Sequence, residues 1–158
     1  MMAIVPYDEK YADDFAHLVA AFREFNTDGF CEPFRPDIAH REYRERIERM
    51  RTDETCELLL LLDGDRAVGF LQLAVLDQPP FRTPVKEKVG CIDAVFLLPG
   101  YRGRGWGKRL FEEGERHLIK RGISHIDLDV TVFNRLACSW YEQMGYKVQH
   151  IKMSKKLR

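Results

Sequence analysis

Tyr11, Phe15, Leu18, Val19, Phe22 and Phe25 recur at spacings of four, three, one, three and three, the apolar stripe of an amphipathic helix. Ile4 and Val5 before it make only a short strand, which Pro6 ends or places at a sheet edge, and Asp8 stands where an N-cap belongs. A second helical pattern runs from Asp37 to about Arg51, with Ala39, Tyr43, Ile47 and Met50 on a narrow apolar side. Its other faces carry Arg41–Glu45, Glu42–Arg46, Arg44–Glu48 and Glu45–Arg49. Each such pair is worth about 0.2–0.5 kcal/mol, and together they read as a solvated face.

The pattern then changes to that of strands. Glu57 to Leu62 and Ala67 to Leu76 are nearly continuous apolar runs around Asp63-Gly64-Asp65, which predicts a tight antiparallel hairpin. Val89 to Leu97 predicts a fourth strand, and Ile126, Leu128, Val130 and Val132, alternating with Asp127, Asp129 and Thr131, a fifth. Between them a helix is expected from about Gly105 to Arg121, burying Trp106, Leu110, Phe111 and Leu118 and stopped by Gly122. A short helix from Arg135 to Met144 ends at Gly145, and Tyr146 to Met153 is again strand-like. Asn26 to Pro36 and the proline-rich Asp77 to Glu87 are expected to be loops.

The stretch from Leu97 to Lys108, Leu-Leu-Pro-Gly-Tyr-Arg-Gly-Arg-Gly-Trp-Gly-Lys, joins the fourth strand to the helix through glycines at 100, 103, 105 and 107. The first turn of a helix presents N–H groups with no internal acceptor at its positive end, so an anion fits there. A P-loop would need Ser or Thr after Gly107-Lys108, where Arg109 stands, and its first glycine position is Arg102. A dinucleotide fingerprint fails at Lys108. The pattern that fits is Arg-x-x-Gly-x-Gly, met by Arg102, Gly105 and Gly107, which resembles the acyl-CoA pyrophosphate loop of the GNAT N-acetyltransferase superfamily. Thirty residues on, Asn134-Arg-Leu-Ala137-Cys-Ser-Trp-Tyr141-Glu-Gln-Met-Gly145-Tyr146 resembles the second signature of the same superfamily.

The resemblance covers roughly residues 88 to 148 and implies a mixed α/β (α+β) fold. Its mainly antiparallel central sheet would have six to seven strands, with helices on both faces, in the order β-α-α-β-β-β-α-β-α-β. It also implies acetyl-CoA as cosubstrate and no metal. The pyrophosphate would lie on backbone N–H groups from Arg102 through Gly103, Arg104, Gly105, Trp106 and Gly107 to Lys108, with Arg102, Arg104 and Lys108 adding charge. The pantetheine arm would pair along the fourth strand near Leu97 and Leu98, and Asn134, Ala137 and Tyr141 would border it. Asn134 is equally placed as the N-cap of the helix at Arg135. Tyr141 is the expected acid for the leaving thiolate, and a buried aromatic in the alternative. Asp93, four residues before Leu97, is the expected base, acting through water, or else a surface aspartate; Asp129 is a weaker candidate for that role. No His, Cys or Ser constellation points to an acyl-enzyme, so direct attack in a ternary complex is expected.

The composition sets limits on partners. With 158 residues, one domain spanning the whole chain is expected. The net charge of zero argues against nucleic acid as the main partner, no apolar run is long enough for a membrane, and the amino terminus does not read as a signal peptide. Cysteines at 31, 56, 91 and 138 are too scattered for a zinc knuckle, and a cytoplasmic protein with buried thiols is expected. Residues 1 to 100 hold 12 Lys/Arg against 19 Asp/Glu, whereas residues 101 to 158 hold 13 against 6. A basic half for the cofactor and an acidic half for a cationic small-molecule amine follow, with Glu24, Asp28, Glu32 and Asp93 as candidates for an acidic mouth. A homodimer stays open as a further partner. The competing class is a non-catalytic acyl-CoA binder or sensor, which would need neither Tyr141 nor an acid near Leu97.

Overall fold

A computed structural model describes residues 1–27, 43, 44, 47, 48, 50–77, 88–151, 153, 155 and 157. Five strands form one sheet in the order β1 (Met2–Pro6), β2 (Cys56–Asp63), β3 (Arg66–Asp77), β4 (Lys88–Leu97) and β5 (Ile126–Leu128). Neighbours are antiparallel except β4 and β5, which run parallel. The hairpin expected at Asp63-Gly64-Asp65 is present, Asp63 pairing with Arg66 across the turn. Helices on the connections include α1 (Ala12–Thr27), α2 (Trp106–Lys120) and α3 (Arg135–Gln143). Asp8 caps a 3-10 turn at Glu9–Tyr11 that leads into α1, its Oδ1 accepting from Lys10 N at 3.0 Å.

The apolar stripe of α1 buries Phe15, Leu18 and Val19 against Leu58, Leu60, Leu62, Phe70, Ala94 and Phe96. Leu110, Phe111 and Leu118 of α2 cover the opposite face, against Leu59, Leu61, Leu71, Leu73, Ile92 and Leu97. A helix over each face explains why Leu58 to Leu62 are all buried and why β2 reads as an unbroken apolar run. Each fully buried Leu or Phe contributes about 1.5–3 kcal/mol. At its far end α2 is tied to β2 by His117, whose ring nitrogens meet Glu57 and Glu113, and by Arg121, which donates to Glu54 O.

Four expectations need correction. The sheet has five strands among the described residues, not six to seven. β5 stops at Leu128 instead of reaching Val132, because the Thr131 carbonyl is taken by Asn134 N and the Cys138 thiol as the chain turns into α3. No strand is formed at 146–151: Tyr146 N donates to Tyr141 O in the turn that closes α3, and the chain beyond it runs exposed. α1 continues through Asn26 and Thr27, which were expected to belong to the Asn26–Pro36 loop. Residues 43, 44, 47, 48 and 50–52 are helical, matching the end of the second helical pattern; its Asp37 cap, the rest of the 28–36 loop and the 78–87 loop lie outside the described residues.

Candidate functional site

β4 is paired with β3 along its whole length but with β5 only at Gly90, Cys91 and Ile92. From Asp93 to Leu97 its other edge has no strand beside it among the described residues. The cause is local. Gln72 pairs with Ala94 and Leu73 with Ile92, which leaves Asp93 as the extra residue of a β-bulge. The bulge reverses the alternation of the strand: Ile92 lies in the core under α2, whereas Ala94 and Phe96 lie in the core under α1. It also turns the exposed Asp93 carboxylate to the α1 side, where Gln72 Nε2 donates to its Oδ2 at 3.4 Å.

The open edge runs directly into the glycine loop. Leu98 precedes a 3-10 turn at Pro99–Tyr101, Gly103 and Gly105 adopt φ of 70° and 80°, and α2 starts at Trp106. The first helical bond of α2 runs from Arg109 N to Gly105 O, so the N–H groups of Trp106, Gly107 and Lys108 precede any intrahelical acceptor. Gly105 is the left-handed N-cap and has no side chain to occupy them. Nothing lies within 4 Å of where a Cβ would stand at Gly103 or Gly105, so the loop is open outward. Gly107 differs: a Cβ there would come within 3.3 Å of the Trp140 ring, so this glycine admits α3 against the first turn of α2.

The basic residues of the loop are not equivalent. Arg102 is turned under it, Nε donating to Leu97 O at 2.8 Å and the guanidinium lying 4.6 Å from the Phe25 ring centre and 5.0 Å from that of Phe96. Its side chain therefore holds the end of β4 to α1. Lys108 makes an exposed pair with Glu112 at 3.8 Å, and Arg104 is exposed. Arg109 lies over the Trp106 ring.

α3 supplies the remaining residues. Asn134 is its N-cap, Oδ1 accepting from Ala137 N at 3.2 Å. The cap occupies only the carbonyl oxygen, and Ala137 leaves no bulk beside it. Tyr141 packs among Phe111, Trp140 and Tyr146 with ring centres 5.3–6.0 Å away. Burial raises its phenol pKa above the ordinary 10.0, with the Cys138 thiol adding to the effect, so the phenol is protonated at neutral pH. No described residue hydrogen-bonds its hydroxyl.

Tyr141 belongs to the α2 side of the sheet and Asp93 to the α1 side, and the unpaired edge of β4 lies between them. On the α1 side, Phe15, Phe22, Tyr43, Phe70, Gln72 and Ala94 line a crevice of about 530 Å³, including its open mouth. Cys91 shares this side with Asp93, Asp127 and Asp129. Burial first, then these carboxylates, pushes its thiol up to about 12, and burial also raises Cys56. Neither thiol is a nucleophile at neutral pH. Gln72 was missed by sequence reasoning. Its signal was a lone amide in the apolar run of β3, and it is buried beside the bulge. Of the acids expected at the mouth, Asp28 and Glu32 lie outside the described residues, and Glu24 is exposed on α1.

A parallel strand pair opened by a bulge and followed by a glycine turn at a helix N-terminus is the architecture of the acetyltransferase class that the sequence motifs suggested. The family model of the "Acetyltransferase (GNAT) family" matches residues 19–146, and the chain belongs to that family. Over 147 residues it is 25% identical to "N-alpha-acetyltransferase 30" of Schizosaccharomyces pombe, covering 92% of this chain and 84% of that one. Over 128 residues it is 27% identical to a "Mycothiol acetyltransferase" of Renibacterium salmoninarum, covering 80% of this chain and 37% of that protein. The chain thus spans little more than a third of the length of that relative. An aminoglycoside N-acetyltransferase solved in complex with CoA shares the fold, with a TM-score of 0.78 at 17% identity, covering all of this chain and 96% of that one. No helix among the described residues is long and apolar enough to cross a membrane.

Proposed function

We propose that this chain is an acetyl-CoA-dependent N-acetyltransferase that moves the acetyl group to a primary amine by direct attack within a ternary complex. The observation that carries this reading is the edge of β4 left free from Asp93 to Leu97, leading straight into N–H groups without acceptors at the start of α2. The pantetheine amides would pair with that edge as an added strand, near Leu97 and Leu98. The pyrophosphate would rest on backbone donors from Arg102 to Lys108, with Arg104 and Lys108 as the outward charges. Asn134 would offer its amide nitrogen to the arm while its oxygen keeps the cap.

The cosubstrate would occupy the α2 side and the acceptor the α1 side, meeting in the gap beyond the bulge. The amine nitrogen attacks the thioester carbonyl carbon, the C–S bond breaks, and the departing CoA sulfur takes the Tyr141 proton. The proton lost by the amine passes through water to Asp93. With Cys91 and Cys56 held as thiols, no acyl-enzyme is required. Tyr141 and Asp93 would be idle in a protein that only binds acyl-CoA, which favours the enzyme over a sensor.

For the acceptor, Asp93 with Asp127 and Asp129 on the same side supports a cation, and the aromatic crevice supports an apolar body attached to it. Mycothiol, aminoglycoside and N-alpha acetyltransferases among the similar proteins widen the panel of amines to test. Unpaired thiols at Cys56, Cys91 and Cys138 support a cytoplasmic workplace. CoA release measured across a panel of small amines, amino acids and peptides tests the reading. Turnover is expected with a cationic amine, and kcat/KM is expected to fall as salt shortens the Debye length from ~10 Å at 0.1 M. A flat salt profile with neutral acceptors preferred would remove the acidic mouth; no release with any amine, despite CoA binding, would leave the sensor.

A further inference from the structure

Gln72 is the one buried polar side chain among the described residues, 5% exposed in a strand whose neighbours Leu71 and Leu73 are fully buried. An amide in such surroundings costs stability unless its groups find partners. Its Nε2 has one, Asp93 Oδ2 at 3.4 Å, reached across the bulge where Gln72 pairs with Ala94. Its Oε1 is different, for no described residue donates to it. Among the described residues no polar side-chain atom is both fully buried and without a partner, so this oxygen reaches open space. The space that Gln72 lines is the crevice on the α1 side.

The rest of the lining narrows what that oxygen can serve. Phe15, Phe22, Phe70 and Ala94 are apolar, and the Arg23 guanidinium has donors only. Tyr43 commits its hydroxyl proton to Ala12 O at 2.9 Å. An open acceptor thus stands in a largely apolar crevice. It belongs to the same planar amide whose other arm holds Asp93, the carboxylate proposed to take the proton of the amine.

We propose that Gln72 orients the acceptor and restricts it to primary amines: Oε1 receives one N–H of the attacking nitrogen while Nε2 fixes Asp93. This rests on the acetyl transfer proposed above. A neutral primary amine carries a lone pair and two N–H groups. With the lone pair on the thioester carbon, one N–H meets Oε1 and the other meets the water that leads to Asp93. As the C–N bond forms the nitrogen gains positive charge, so the bond to Oε1 is stronger in the transition state than in the ground state. Gln72 itself neither gives nor takes a proton. A secondary amine has a single N–H for these two acceptors and leaves one of them unserved.

CoA release with phenethylamine, putrescine and alaninamide, each beside its N-methyl derivative, tests this in the wild type, Gln72→Met and Gln72→Glu. Met keeps the length of the side chain and suits an apolar strand, whereas Glu keeps an oxygen at the same place. The wild type is expected to prefer the primary amine by about tenfold or more in kcat/KM, the equivalent of one hydrogen bond in the transition state. In Gln72→Met the primary amine should lose a similar factor and the preference should disappear; in Gln72→Glu the preference should survive. Should Gln72→Met not fold, Gln72→Asn, which withdraws the amide by one methylene, carries the same expectation. A Gln72→Met protein that slows both amines equally, keeping the preference, overturns the proposal, because the side chain then acts through Asp93 or through packing alone. A wild type that turns over both amines without preference overturns it as well. Acetyl-CoA bound without turnover of any amine removes the acetyl-transfer reading and this inference with it.

Discussion

At the scale of single residues, the two faces of the sheet separate Tyr141 from Asp93, the proposed donor and acceptor of the transferred protons. Tyr141 sits among aromatic rings whose burial raises its pKa, so the neutral phenol persists to higher pH than a free tyrosine. Tyr141→Phe keeps the packing and removes the proton, so kcat should fall by about 10²–10⁴ with acetyl-CoA affinity nearly unchanged. Full turnover in single-turnover kinetics would reduce Tyr141 to a core aromatic. Cys91 provides the complementary test. A thiol at about 12 is not the acyl carrier, so Cys91→Ala should keep turnover and show no acetylated intermediate by mass spectrometry of quenched reactions. Complete loss of activity in a folded Cys91→Ala protein would reopen a covalent route.

At the scale of elements, two glycines of one loop have different work. Gly105 has φ of 80° and open space around it, so a β-branched residue strains the turn that aims the α2 N–H groups. Gly107 has its space filled by Trp140. Gly105→Val should weaken CoA binding by about tenfold or more, the equivalent of one charge-assisted hydrogen bond, with a smaller effect on the ligand-free melting temperature. Gly107→Val should instead overpack α3 at a cost of about 1–3 kcal/mol, lowering the melting temperature by about 2–4 °C for each kcal/mol. Calorimetry and thermal unfolding of the pair separate the roles, and equal effects on both readouts would contradict the assignment.

At the scale of the whole molecule, burial has placed several groups whose neutral form the fold demands. The pKa of Cys91 is raised from about 9 to about 12, and those of Tyr43, Tyr141, Tyr146 and Cys56 are also raised, chiefly by burial. Above pH 9 the unfolded chain releases these protons and the folded chain retains them. The unfolded state then binds fewer protons, so stability must fall as pH rises. The melting temperature should therefore hold to about pH 9 and decline toward pH 12, and Cys91→Ala should soften the decline. A melting temperature flat to pH 11 would contradict the burial of these groups.

The sequence by itself determined the elements and their order, because helix periodicity, caps and turn residues act over a few positions. The stripe from Phe15 to Phe22, the hairpin around Gly64 and the start of α2 after Gly105 are all of that kind. The two motifs around Gly105 and Tyr141 were legible for the same reason. What the tertiary structure decided is where strands slip and which face a side chain takes. Strict alternation from Ile92 would put Ala94 and Phe96 on its own face, and the bulge at Asp93, visible only in the register with Gln72 and Leu73, moves them to the other. The contacts of Arg102 were likewise not readable from its motif, because one of the two rings beside its guanidinium, Phe25, comes from α1, far away along the chain. The segment after Tyr146 has the alternation of a strand, but a strand exists only where a neighbouring edge meets it, and that meeting is set by pairing partners far away along the chain.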